Sequence, residues 1–313
     1  MFNIFKKTDS QQITLGLEIF SKSEYDDFMK LVKSDLESRG YVGDIKDGFL
    51  TTKLDGKDES FELVDLAQKC KLVKKSDWPQ TIKEYFDVLA RYKNDEADLQ
   101  KNLTDFNKIK NLIAIQLYPD GYLNAASKLK KEVITRNSIP GVNNTLVLDL
   151  PSSIRPVKSS EAKVWNKTED ELFALAFNNT FNEIKPEISE QQVPGGKITF
   201  ITSDNFLTRV LVLNLKKFGQ CIGTHGSLVS IPTDSTVMCY PINDLAVVKV
   251  MPIYASFVFK LNAEGPGSLS PKLFWFQDDK FTDLHYKLEN GKPIFSLPQN
   301  FLDMLNKLEE PKN

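Results

Sequence analysis

Cys221, His225 and Cys239 are the residues whose types first suggest chemistry. Two thiolates and an imidazole are zinc ligands, and Cys-x-x-x-His is a spacing able to chelate. A structural zinc takes four ligands, and here the fourth must come from His285 or a distant carboxylate. Cys239 also sits between Met238 and Tyr240, where a small buried thiol is ordinary packing. The packing reading is preferred, and neither a metal nor a cofactor is expected. Nucleophilic catalysis meets a similar obstacle. His225 and His285 are the only histidines, and no G-x-S-x-G elbow accompanies them. Gly219, Gly223 and Gly226 leave a helical pattern and enter a strand, the reverse of a phosphate-binding loop, so they read as a helix stop and connector. Carboxylate pairs such as Asp26-Asp27, Asp278-Asp279 and Glu309-Glu310 fall at a helix start, a turn and the tail, all solvated places.

What remains is a binding corner. Asp204 reads as the cap of a helix and Arg209 lies one turn into it, close to the turn around Pro232 and Asp234. A planar guanidinium there would anchor an acidic group of a partner, although a cap and a surface charge account for both residues. No catalytic residue is assigned. If the chain is an enzyme, the alternative is a hydrolase or small-ligand enzyme using carboxylates with His225 or Arg209.

The elements that must position these residues follow from periodicity. Tyr25, Phe28, Leu31, Val32 and Leu36 keep helical spacing after an expected cap at Ser23, and Gly40 stops the run. A hairpin is expected over Phe49–Leu54 and Ser60–Leu66 about Asp55-Gly56, then a helix after Trp78-Pro79 carrying Ile82, Tyr85, Phe86 and Leu89. Leu112–Leu117 reads as a strand, and 124–144 as a polar exposed excursion. Leu146–Leu150 is a strand, and Thr168 with Glu171 forms a capping box before Leu172–Phe181. Strands are expected at Lys197–Thr202, Leu228–Ile231, Thr236–Tyr240, Leu273–Phe276 and Phe281–Leu284. Helices are expected from Ser203-Asp204 to Phe218, over Asp244–Leu261, and after Pro298. Phe61–Leu66 with Trp78, and Leu146–Leu150 with Trp165, share an order of strand, Asp-Leu, tryptophan and helix. That order predicts a duplicated unit in which Trp78 and Trp165 are buried anchors. The fold class is α+β, largely antiparallel, with repeated strand- or hairpin-then-helix units. The expected division is a flexible segment 1–22, an N-terminal α+β unit 23–95, a helical connector 96–110 and a larger α+β region 111–313.

Forty basic and 42 acidic residues leave a net charge of −2, so no field draws in nucleic acid or an anionic membrane. The longest apolar run, Leu245–Phe259, is broken by Lys249 and Pro252 and is too short to span a bilayer. Three widely spaced cysteines argue against a disulfide framework and for a reducing, cytoplasmic setting.

The order of motifs resembles the YtpQ-like proteins, a bacterial family with a domain of unknown function. The resemblance runs through Phe61–Leu66, Trp165-Asn166-Lys167-Thr168, Ala176-Phe177-Asn178, Thr208-Arg209-Val210-Leu211, Gly226-Ser227-Leu228 with Pro232 and Asp234, and Pro271-Lys272-Leu273-Phe274. The segment between Tyr122 and Asn144 and the stretch to Ser21 depart from it. It implies an architecture and a bacterial setting, but no catalytic residues. Together these features point to a non-enzymatic module that binds another protein or presents a sheet for assembly.

Overall fold

The computed structural model describes residues 17–311, apart from 18, 42, 47, 55–56, 121, 123–131 and 152. The expected Asp55-Gly56 turn and most of the 124–144 excursion therefore lie outside the described residues. The protein is α+β with antiparallel sheets. It divides into two compact units between Asp87 and Val88, inside a helix, rather than after residue 95.

In the first unit, helix α1 (Lys22–Ser38) is capped by Ser21, not Ser23. The Ser21 hydroxyl accepts from the Glu24 N–H, and the Glu24 carboxylate accepts from the Ser21 N–H at 2.8 Å. Its buried face is Tyr25, Phe28, Val32 and Leu36. Strands β1 (Gly43–Lys46), β2 (Phe49–Leu54) and β3 (Lys57–Glu62) form a three-stranded sheet. Helices α2 (Val64–Leu72) and α3 (Trp78–Asn102) follow. Leu17 and Phe20 are buried, and the Phe20 ring lies 5.3 Å from Trp78, so these residues of the segment 1–22 are packed rather than flexible, and residues 1–16 lie outside the described residues.

The duplicated unit does not materialise. Asp65 and Leu66 stand in the first turn of α2, whereas Leu146–Leu150 ends a long strand. A short apolar run does not distinguish a strand from a buried helix turn, and here the helix wins. Both tryptophans are nevertheless anchors. Trp78 is buried and donates its indole N–H to the Cys70 carbonyl at 2.7 Å. Trp165 is buried in the second unit and donates to the Leu103 carbonyl at 2.6 Å.

The second unit continues with α4 (Phe106–Ile109), β4 (Ile113–Pro119), β5 (Thr135–Ile139), β6 (Val142–Leu150), β7 (Ser153–Pro156), α5 (Ser159–Val164) and α6 (Glu169–Glu183). The expected connector 96–110 is thus the end of α3 plus α4. β6 pairs with β4 along one side, and on the other with β5 and then β7. Polar 142–144 is no excursion. Asn143 and Asn144 are buried in β6, with Asn143 donating to Asp120 at 2.8 Å and Asn144 to the Ser138 hydroxyl. Next come β8 (Glu187–Val193), β9 (Gly196–Thr202), a 3-10 run Thr208–Lys217, β10 (Ser227–Thr233), β11 (Thr236–Pro241), α7 (Val247–Glu264), β12 (Phe274–Gln277) and β13 (Lys280–Asp283). A hairpin, β14 (His285–Glu289) with β15 (Lys292–Ser296), and α8 (Gln299–Leu305) complete it.

The second sheet has the order β13-β12-β10-β11-β9-β8. Its side chains alternate between two cores, as a pleated strand requires. Val229, Ile231, Val237, Cys239 and Ile201 join the core of β4, β6 and α6, while Leu228, Met238, Tyr240 and Ile198 face α7 and α8.

Candidate functional site

The two sheets treat their edges differently. β4 is the outer strand of its sheet, and α6 lies along it. The Ile113 carbonyl accepts from Asn179 Nδ2 at 2.8 Å, and the Ile115 N–H donates to the Thr180 hydroxyl at 3.1 Å. The Leu117 N–H donates to Gln116 Oε1 at 2.9 Å, and residue 119 is proline and has no N–H. Side chains therefore take up three of the outward groups of this edge, the Ile113 carbonyl and the Ile115 and Leu117 N–H groups.

This gives Arg209 a role the sequence did not reveal. It is buried, only 8% exposed, and its Nε donates to the same Gln116 Oε1 at 2.9 Å. The guanidinium holds the amide that closes β4; it is not a surface anchor for a partner. Its main-chain N–H donates to the Asp234 carbonyl at 3.0 Å. Burial, with Tyr122 beside it, pushes the phenol of neighbouring Tyr118 well above its ordinary value, and the Arg209 charge offsets part of that rise.

Pro232 lies near the end of β10 and Asp234 in the turn to β11, and they too serve the frame. The Pro232 carbonyl accepts from the Leu269 N–H at 3.0 Å and from Asn262 at 2.8 Å. The Asp234 N–H donates to the Gly267 carbonyl at 2.8 Å. Gly267 has φ +68°, and a Cβ there would fall 2.1 Å from an Asp234 carboxylate oxygen, so only glycine fits.

Asp204 is exposed and stands apart from Arg209, in a polar cleft of about 460 Å³ lined by Glu183, Lys185, Glu187, Asn205 and Thr236 among others. It caps no α-helix. Ser203 and Asn205 start the 3-10 run instead, accepting from the Asn205 and Leu207 N–H groups at 3.0 and 2.7 Å. The cleft opens at the start of β8. Neither Arg209 nor His225, the residues a hydrolase reading would use, lines it. Close by, burial first and the Glu183 charge second push the Asp149 carboxyl up to about 6. Sequence reasoning saw Asp149 only as the end of a strand motif.

β8 is the other sheet's outer strand. Six of its seven residues are exposed, and among the described residues no strand lies across its outer side. It pairs with β9 at every position from Glu187↔Thr202 to Val193↔Gly196. Val193 and Gly196 flank the two-residue Pro194-Gly195 turn, which makes them a mutually hydrogen-bonded pair. By alternation Gln191, Ser189 and Glu187 also bond to β9, while Gln192, Glu190 and Ile188 direct their main-chain groups outward. The Gln192 carbonyl accordingly accepts from a side chain, Gln191 Nε2, at 3.1 Å. The turn end is held firmly. Tyr240 donates its hydroxyl to the Gly195 carbonyl at 2.8 Å, and burial, then Asp244, pushes that phenol up to about 12, so it stays a donor. A Cβ on Gly196 would meet the Tyr240 ring at 2.9 Å.

The metal candidates are not assembled. Cys221 and Cys239 are fully buried and joined in a disulfide with a Cα–Cα distance of 5.4 Å, so neither thiolate is available as a ligand. His225 sits in the connector before β10, its N–H on the Ile242 carbonyl at 2.9 Å. Among the described residues no group of three or more metal-ligating side chains converges. The disulfide also removes the thiol argument for a reducing compartment, leaving Cys70 as the free cysteine. No described helix is long and apolar enough to cross a membrane.

No protein-family model matches the chain, and no curated protein or solved structure matches it either.

Proposed function

We propose that this chain is a non-enzymatic protein-binding module that receives an extended segment of its partner along the outer side of β8. The observation that carries the reading is the contrast between edges. Three outward groups of the β4 edge are taken by Asn179, Thr180 and Gln116, whereas along β8 one outward carbonyl, that of Gln192, takes a side chain and no strand lies across the outer side among the described residues. Strand addition at such an edge draws affinity from main-chain hydrogen bonds and selectivity from alternate side chains. Glu187 and Glu190 lie on the strand, and Glu183 and Asp204 border the cleft at its start. Lys197 holds Glu190 at 2.8 Å, so the acids left to a partner are those at the start of the strand, Glu183, Glu187 and Asp204. The partner segment is read as a different protein, carrying basic residues opposite those acids and an apolar one beside exposed Ile188. The resemblance to the bacterial YtpQ-like proteins remains part of this reading; it gives the module a bacterial setting and adds no catalytic residue.

The test compares the wild type with Glu190→Pro as cross-linking baits in extract of the native host. Proline at 190 removes an outward N–H and leaves the β9 ladder intact, which an edge strand tolerates. A stoichiometric companion cross-linked at β8 by the wild type and lost by the variant is the expected result. Equal recovery by both, or cross-links away from β8, would overturn strand addition.

A further inference from the structure

A second site lies away from β8, where the residues after α7 meet the β13–β14 corner. A cleft of about 610 Å³ opens there, within the size range of small-molecule sites. Its walls include buried Leu273 and Leu284, with Phe259, 46% exposed, at the mouth. Its polar groups converge on one carboxylate. Asp283, whose side chain is 12% exposed, takes the Lys272 ammonium on one oxygen at 2.7 Å and His285 Nδ1 on the other at 2.9 Å. Both oxygens of Asp283 are thereby occupied by protein. The Lys272 ammonium keeps further N–H groups on a side chain 41% exposed, and His285 leaves its Nε2 edge on an imidazole 70% exposed. Lys287 also lines the cleft but is held by the Glu289 carboxylate at 2.5 Å, so Lys272 is the cation the wall offers.

We propose that this cleft binds a small amphipathic carboxylate, its apolar body between Phe259 and the leucines and its anionic head on Lys272, beside His285. Asp283 acts as a positioning residue, holding the ammonium and the imidazole at the wall so that little side-chain freedom is lost on binding. A phosphate head is the poorer fit. It calls for several converging donors, such as an arginine fork or a helix N-terminus, and the lining supplies neither. The site does not rest on the β8 reading, and either stands if the other fails.

The probe is octanoate, titrated calorimetrically into the full chain, with 1-octanol as the uncharged comparator. The expected result is one saturable site for octanoate with Kd about 1 mM or tighter. Octanol is expected to bind about tenfold more weakly, the loss of one charge-assisted contact. Lys272→Met should bring octanoate down to the octanol affinity. Phe259→Ala, at an exposed position whose change leaves the core intact, should weaken both probes. Equal affinities for octanoate and octanol in the wild type would overturn the proposal with no variant needed. So would the absence of a saturable site up to about 10 mM, or octanoate binding indifferent to both substitutions.

Discussion

Replacing Thr180 by valine isolates the closure of the β4 edge. The Thr180 side chain is fully buried, accepts from the Ile115 N–H at 3.1 Å, and donates to the Ala176 carbonyl at 2.8 Å. Valine has nearly the same shape and the same branching at Cβ, so packing and helix propensity change little. The Ala176 carbonyl sits in the middle of α6 and keeps its helical partner. The Ile115 N–H does not: it faces away from β6 and is left buried with no acceptor. Such an orphan costs about 1–3 kcal/mol. With an m-value of about 3 kcal/mol/M in urea, a cost of about 2 kcal/mol lowers the midpoint by roughly 0.7 M. Urea denaturation followed by far-UV circular dichroism reads the shift, and amide exchange at Ile115 locates it. A midpoint within about 0.1 M of the wild type, or an Ile115 amide as protected as before, would refute the claim that side chains seal this edge.

Other outcomes follow from single sites. Trp165→Ala should cost about 3–5 kcal/mol, from the buried ring and the abandoned Leu103 carbonyl, and an unchanged denaturation midpoint would refute its anchoring role. Burial and the Glu183 charge raise the Asp149 carboxyl from its ordinary value to about 6, so the native state holds the proton to higher pH than the unfolded chain. Stability should therefore fall as pH rises from about 4 to 6 and stay level above, with Asp149→Asn abolishing that slope and gaining at most about 3 kcal/mol at pH 7. An identical pH profile in the variant would contradict the burial argument. Protein denatured without reductant should titrate one thiol, Cys70, and three after reduction, whereas three before reduction would exclude the Cys221–Cys239 bridge. Cys221→Ser with Cys239→Ser should lose about 3 kcal/mol of loop-closure stabilisation, measured by thermal melting.

Much of the frame was legible because local signals and packing agreed. Thr168 and Glu171 announced α6, and Asp278-Asp279, both at positive φ, announced the β12–β13 hairpin. The β14–β15 hairpin was overlooked although Asn290-Gly291, also at positive φ, is a strong turn signal. β8 carried no apolar alternation to find, because an edge strand exposed on both faces has no core side to mark it. Asn143 and Asn144 read as surface and are buried, their side-chain amide N–H groups donating to Asp120 and Ser138 across a distance in sequence that no pattern reveals. The same holds for the binding corner. Asp204, Arg209, Pro232 and Asp234 were grouped by proximity along the chain. Arg209 turns inward to an amide 93 residues away, and Asp204 faces another cleft. The disulfide escaped for a like reason, because Cys221 and Cys239 meet only once the 3-10 turn folds against β11.

Residue-resolved amide exchange by NMR on the free chain tests the open edge most directly. The account predicts alternation along β8: fast exchange at Ile188, Glu190 and Gln192, and slow exchange at Ser189 and Gln191, whose N–H groups bond to β9. Uniform protection of all five amides in the unpartnered protein would mean that this edge is already covered, and the binding role assigned to it would fall.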